Sequence, residues 1–143
     1  MADAAEQLTI RAFTEADRGA VKDLWRACGL IVPHNDPDRD IDGAAGKPNS
    51  DILVGLAPDG RIAASVMVGH DGHRGWLYYV AVAPSRQGQG LGRDIVASGE
   101  AWLRAKGVPK AQLMIRETNL AVRDFYASLG WRPIPRLVME RWL

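Results

Sequence analysis

From Ala81 to Arg93 the chain reads Ala-Val-Ala-Pro-Ser-Arg-Gln-Gly-Gln-Gly-Leu-Gly-Arg. An apolar stretch ending at Val82 runs into a loop with glycines at 88, 90 and 92, and a helical apolar pattern begins at Leu91. Glycine tolerates positive φ and lets main-chain N–H groups close on a bound group. The first turn of a helix presents unpaired N–H donors and the positive end of the helix dipole. Together these features make a seat for an anionic phosphate, formed here by Gln87, Gly88, Gln89, Gly90, Leu91, Gly92 and Arg93. Arg86 and Arg93 add charge at its rim. Spacing then discriminates among phosphate ligands. A P-loop requires Lys-Ser or Lys-Thr after its last glycine, and neither pair follows here. A dinucleotide fingerprint, Gly-x-Gly-x-x-Gly, would need its third glycine at Arg93 or at Ile95.

The elements that must hold this loop follow from periodicity. Leu8 to Phe13 alternates as a short strand, and Thr14 with Asp17 opens a helix in the manner of a capping box. Val21, Leu24, Trp25 and Cys28 share a face of that helix, which Gly29 ends. His34-Asn35-Asp36-Pro37 reads as a turn or N-cap leading into a short helix through Ile41. Gly43 to Asn49 is expected to be irregular and mobile. Ile52 to Ala57 and Arg61 to Gly69 form a predicted hairpin across Pro58-Asp59-Gly60, and Trp76 to Val82 is the predicted fourth strand. After the loop, Leu91, Ile95, Ser98 and Trp102 define a helix face, closed by Gly107. Ala111 to Ile115 is a predicted fifth strand. Asn119 caps a helix with Val122, Phe125, Tyr126 and Leu129 on its apolar face, and Trp131 to Leu143 reads as one or two final strands. The fold class is α/β: a mixed, mostly antiparallel sheet flanked by helices, in one domain over residues 1–143.

The bulk properties set limits. The chain has 143 residues, enough for a core without staples. The formal charge of +1 leaves no basic footprint for nucleic acid as a main partner. The single cysteine, Cys28, excludes an intramolecular disulfide and reads as a small core residue. Met1 to Glu6 lacks the pattern of a signal peptide, and no apolar run approaches bilayer length, so a cytoplasmic protein with no membrane partner is expected. His34, His70 and His73 lack metal-ligand spacing, and no metal is expected. The tryptophans read as core and sheet-packing residues.

The loop, as Gln87-x-x-Gly90-x-Gly92 preceded by Val82-Ala83-Pro84, resembles the acyl-CoA signature of the GCN5-related N-acetyltransferase (GNAT) family, Gln/Arg-x-x-Gly-x-Gly/Ala. Asn119-Leu120-Ala121, Tyr126 and Leu129-Gly130-Trp131 resemble the same family's Asn-x-x-Ala…Tyr-x-x-x-Gly-Phe pattern, with tryptophan at the last position. The resemblance spans essentially the whole chain. Asn35-Asp36-Pro37-x-x-Asp40-Ile41, Asp71 to Gly75 and the Tyr78-Tyr79 pair are similar to a narrower group, the small bacterial YpeA-like acetyltransferases.

The resemblance implies an N-acetyltransferase using acetyl-CoA, with direct transfer to a primary amine in a ternary complex. The acceptor would be a small metabolite, an amino-acid derivative or a peptide N-terminus. It places the pantetheine arm beside Val80, Ala81 and Val82 as an added strand, and Asn119 near the cofactor. It assigns Tyr126 to protonate the leaving thiolate; the plain alternative is a core tyrosine. Small members of the family often form homodimers.

Many relatives carry a glutamate base on the fourth strand, but Trp76 to Val82 contains no carboxylate or histidine. Asp36, Asp40, His70, Asp71, His73 and Glu117 are the remaining candidates, with a water chain as an alternative. Asp36, Asp38, Asp40 and Asp42 form an acidic cluster that could attract a cationic amine. Asp38 and Asp42 read as first-turn carboxylates, whereas Asn35, Asp36 and Asp40 are candidate acceptor-binding residues. Strand alternation puts Tyr78 and Tyr79 on opposite faces, one lining the acceptor site and the other under a helix. Tyr79 is the one assigned to the acceptor. A competing function is an acyl-CoA sensor or interaction module without turnover.

Overall fold

The computed structural model of the chain describes residues 7–143, so the reading of Met1 to Glu6 lies outside the described residues. The chain forms two compact units, one extending through Leu113 and the other comprising Met114–Leu143.

The first unit is a five-stranded sheet in the order β1-β2-β3-β4-β5. Its strands are β1 (Thr9–Ala12), β2 (Ser50–Leu56), β3 (Ile62–His70), β4 (Gly75–Val82) and β5 (Ala111–Gln112). All pairings are antiparallel except β4 with β5, as expected for a mixed sheet. Helices α1 (Arg18–Ala27) and α2 (Pro37–Ala44) cover one face. Val21, Leu24, Trp25 and Ile41 pack there against Ile52, Val54 and Ala81. Helix α3 (Leu91–Ala105) packs on β3 and β4 from the other face.

The buried stripe of α3 is Leu91, Ile95, Val96, Gly99 and Leu103, turned from the expected line through Ser98 and Trp102. Gly99 explains the turn. A Cβ there would lie 3.0 Å from Leu77 and 3.5 Å from Val66, so the missing side chain is what lets the helix seat on the sheet.

Local signals at the element ends hold up well. Asp36 caps α2, accepting from the N–H groups of Asp38 at 3.0 Å and Arg39 at 3.4 Å, with Pro37 at the first helical position. The segment after α2 is tighter than the irregular stretch expected: Gly43 and Ala44 are helical, and a Lys47–Ser50 bridge closes the turn into β2. Asp17 accepts from the Thr14 N–H at 2.8 Å and from both terminal nitrogens of Arg11 at 2.7 and 3.0 Å.

Asp17 is only 7% exposed, and its pKa is held below the ordinary range, first by Arg11 despite the opposing effect of burial. A depressed folded-state pKa contributes stability above the unfolded value near 3.9, and that stability is lost as pH falls through the folded value. Asp17→Asn is therefore expected to cost about 2 kcal/mol at neutral pH. Urea melts should show that cost shrinking in acid, below about pH 4. A cost independent of pH would mean that the carboxylate's charge is immaterial.

The second unit contains α4 (Leu120–Ser128). The final strands expected from Trp131 onward are absent; Trp131–Leu143 has no strand pairing. Pro133 and Pro135 each remove a main-chain donor and fix φ, and a strand interrupted at alternate positions cannot sustain a ladder on that side. β5 is likewise shorter than expected, ending at Gln112.

Candidate active site

The fourth strand is bulged at its centre. Ser65 pairs with Ala81 and Met67 with Tyr78, so Tyr79 and Val80 together oppose Val66. Tyr79 has φ +49°, the only positive value at a non-glycine residue among those described. Two contacts hold it in this conformation. Its ring stacks on Trp25, with centroids 3.8 Å apart and planes inclined by 13°. The fully buried Ser65 hydroxyl accepts from Trp25 Nε1 at 2.9 Å and donates to the Tyr79 carbonyl at 2.9 Å.

The bulge corrects the expectation that the two tyrosines face opposite ways. Tyr78 pairs with Met67, which packs on the α1–α2 cluster, and directly paired residues share a face. Tyr79 packs on that same cluster. Both tyrosines therefore lie on the α1–α2 side. Tyr79 is half-buried, and its hydroxyl donates to Asp40 Oδ2 at 2.6 Å. Burial first, then Asp40, push the Tyr79 phenol well above its ordinary pKa, so it remains a proton donor to the carboxylate.

β5 pairs with β4 only at Gly75–Ala111 and Trp76–Gln112. From Leu77 to Val82, β4 has no strand partner on the side away from β3 among the described residues. Val80, Ala81 and Val82 lie on this stretch.

Beyond Val82, a 3-10 turn at Pro84–Arg86 leads into the glycine loop. Gly88 and Gly90 have φ of +81° and +82°, and a Cβ on either would meet nothing within 4 Å. Their role is thus conformational, with open space above the loop. Gly90 is the N-cap of α3 and no side chain caps that end, so the amides of Leu91, Gly92 and Arg93 open the helix as orphan donors. Gln87 does something the sequence did not suggest: its side-chain Nε2 turns back to the Val82 carbonyl at 3.1 Å and braces the loop against the strand. Cys28 Sγ donates to the same carbonyl at 3.2 Å, and burial raises its thiol pKa, which keeps it a neutral, half-buried packing residue.

The acidic cluster divides by partner. Asp38 accepts from Arg18 at 3.1 Å and from Lys22 at 2.8 Å, and Asp42 accepts from Arg18 at 2.5 Å, so these two clamp α2 to α1. Asp40 is turned to Tyr79. Asp36 Oδ1 is engaged in capping its own helix, and Asn35 is exposed beside it. Of the expected acceptor residues, the structure joins Asp40 with Tyr79 and leaves Asn35 and Asp36 at the α2 N-terminus.

Among the other candidate bases, His70 ends β3, and Asp71 and His73 lie in the turn before β4. About 13 Å of strand separates its first residue, Gly75, from Tyr79. Asp71 accepts from the N–H groups of Arg74 and His73, both at 2.8 Å, which hold its pKa low.

In the second unit, Asn119 Oδ1 caps α4 by accepting from the Val122 N–H at 3.3 Å. The other end closes in a Schellman motif: the Trp131 N–H donates to the Tyr126 carbonyl at 3.0 Å and the Gly130 N–H to that of Ala127 at 3.0 Å, with Gly130 at φ +92°. Tyr126 is 7% exposed, edge-on to Phe125 and Trp131 at centroid distances of 5.0 and 5.8 Å. Burial pushes its pKa up to about 12.

Sequence reasoning missed Ser65 and the linking role of Trp25. The available signal was a lone hydroxyl in the otherwise apolar run Ala63-Ala64-Ser65-Val66. A buried polar side chain in a central strand needs partners.

Comparison with known proteins agrees with this geometry. Residues 17–131 match the model of the acetyltransferase (GNAT) family, a span that runs through both units. An acetyltransferase of Pectobacterium atrosepticum is 37% identical over 136 residues, covering 95% of this chain and 96% of the relative. One from Yersinia enterocolitica is 40% identical over 138 residues with the same coverage. Among solved structures, the acetyltransferase AAC(6')-Iy bound to a CoA-linked bisubstrate analogue superposes with a TM-score of 0.81 at 16% identity, over 95% of this chain and 98% of that one. The Trypanosoma brucei acetyltransferase gives a TM-score of 0.73 at 25% identity, over 94% and 99%. The expected resemblance holds in both sequence and fold, and the chain belongs to the GNAT family of acetyltransferases.

Proposed function

We propose that this acyltransferase moves an acetyl group from acetyl-CoA to a primary amine by direct transfer in a ternary complex. The observation that carries the reading is the continuous run from Val80 to Arg93. There a strand edge without a partner among the described residues leads into two positive-φ glycines and a helix N-terminus without a side-chain cap. In this reading the loop amides from Gln87 to Arg93 bind the pyrophosphate, where donors and helix dipole converge on an anion. The main chain of Val80, Ala81 and Val82 pairs with the pantetheine amides as a further strand would. Asn119 belongs to the same cofactor set by family resemblance.

The amine nitrogen attacks the thioester carbonyl, a main-chain N–H of the bulge stabilises the oxyanion, and the carbon–sulfur bond breaks. Tyr126 protonates the leaving thiolate, and the proton lost by the amine passes to water or a carboxylate. Asp40 and Tyr79, with Asn35 and Asp36 beside them, form the acceptor side. Asp40 supplies negative charge for a cationic amine, and the Tyr79 hydroxyl fixes its orientation. The match running through both units is the reason for reading the chain as one domain.

One observation favours a second reading, an acyl-CoA-binding module without turnover: β4 carries no carboxylate or histidine. Calorimetric titration with acetyl-CoA, followed by steady-state CoA release across a panel of primary amines, separates the two. Saturable binding with amine-dependent release is the expected result. Binding without release for any amine favours the module, and absence of binding by the folded protein removes both.

A further inference from the structure

The Ser65 hydroxyl is fully buried in the third strand and makes two bonds that no requirement of the sheet explains. It accepts from Trp25 Nε1, on α1, and donates to the carbonyl of Tyr79, the bulged residue of β4. Among the described residues no buried side-chain nitrogen or oxygen lacks a partner, so the chain Trp25–Ser65–Tyr79 is closed. Its last link is to the main chain, and that determines what the link controls. The Tyr79–Val80 peptide is trans, since the described chain has no cis bond. In a trans peptide the C=O and N–H point in opposite directions within one rigid plane. Holding the Tyr79 oxygen toward Ser65, on β3, therefore turns the Val80 N–H away from β3. That direction is the strand edge that β5 leaves without a partner beyond Trp76.

We infer that Ser65 is a positioning residue for acetyl transfer. With Trp25 as its anchor, it sets the plane of the Tyr79–Val80 peptide and so aims the Val80 N–H at the thioester carbonyl oxygen. The inference rests on the proposed acetyl-CoA reading. It gives the left-handed tyrosine a function: a strained main-chain conformation persists where surrounding contacts over-determine it. Here the ring stack on Trp25 fixes the side chain and Ser65 fixes the carbonyl. A donor preset in this way needs no reorganisation when the oxyanion forms. Asp40 fixes the outer end of the same tyrosine through its hydroxyl, so the acceptor face and the donor peptide share one residue.

The test uses the full chain, labelled with nitrogen-15, and two probes, acetyl-CoA and CoA. Both carry the pyrophosphate and pantetheine, but only acetyl-CoA has the thioester carbonyl. In the parent, the Val80 amide proton should move further downfield with acetyl-CoA than with CoA. In Ser65→Ala that difference should vanish, while the affinities for both probes stay within about threefold of the parent, because the amides of Gln87 to Arg93 are untouched. Trp25→Phe leaves an aromatic ring to stack on Tyr79 while removing the indole donor together with one ring of core volume, and it should reduce the difference in the same sense. It serves if Ser65→Ala does not fold. A parent that binds neither probe removes the acetyl-CoA reading itself. A parent that binds both but shows no Val80 difference, or a difference that survives intact in the variants, overturns the role of Ser65 and leaves the acetyl-CoA reading standing.

Discussion

Gly90→Glu should weaken acetyl-CoA binding by at least about 100-fold while leaving the protein folded. Gly90 has φ +82°, where a residue with a side chain costs about 1–2 kcal/mol. A Cβ there meets nothing within 4 Å, so the protein can absorb the strain without a clash. A pyrophosphate seated there, as proposed, is what could not tolerate the change. A carboxylate about 4 Å from a phosphate charge costs roughly 4 kcal/mol at an effective dielectric of 20, and about 1 kcal/mol if water fully screens it. The sum favours a loss of two to three orders of magnitude over a marginal one. Gly90→Ala isolates the conformational part and should lose no more than about 30-fold. Calorimetry on all three proteins reads both effects. A glutamate variant that binds like the parent would mean that the phosphates do not sit on this helix end.

The second large effect is on turnover. Tyr126→Phe should lower kcat by about 10²-fold, the lower range for loss of a proton donor, with acetyl-CoA affinity changed by less than about threefold. The ring is held without help from its hydroxyl. Packing against Phe125 and Trp131 and the Schellman closure of α4 do not involve the hydroxyl, so phenylalanine keeps the position and loses only the O–H. With its pKa pushed up to about 12, the phenol holds its proton throughout the neutral range. Above the ordinary tyrosine value near 10, the unfolded chain releases this proton while the folded chain keeps it, so stability falls between about pH 10 and 12. The phenylalanine variant should lack that fall. An unchanged kcat would assign Tyr126 to packing alone.

Features governed by neighbours in sequence were legible before the structure. The glycine loop, the Asp36 cap with Pro37, the Asn119 cap and the glycine after α4 are all decided within a few residues, and each lies where its spacing puts it. Features set by distant partners were not. Nothing around Tyr79 marks a positive φ; it depends on a tryptophan and a serine brought from α1 and β3. Position along the helix separates Asp38 and Asp42 from Asp40 in the sequence, but the cations that claim the pair lie a full helix away, at Arg18 and Lys22. Asp40 parts from Asp36 only with its tyrosine in place. The misread face of α3 has the opposite origin. Glycine carries no hydrophobic signal, yet Gly99 marks the closest approach of helix to sheet. In the sequence after Trp131 the apolar residues outweigh two prolines and point to strand; in the structure the prolines prevail.

The bulge in β4 also fixes a parity. With two residues facing one, every position after Val80 presents the face that its neighbour would present in an unbroken strand. Ala81 thereby reaches the α1–α2 cluster, and Val82 packs with Leu91 on the other side of the sheet. Replacing a residue in the bulge alters one side chain. Removing one would exchange the two faces for everything downstream and deliver the glycine loop upside down. Length, more than residue identity, is what this strand must keep through any insertion, deletion or redesign.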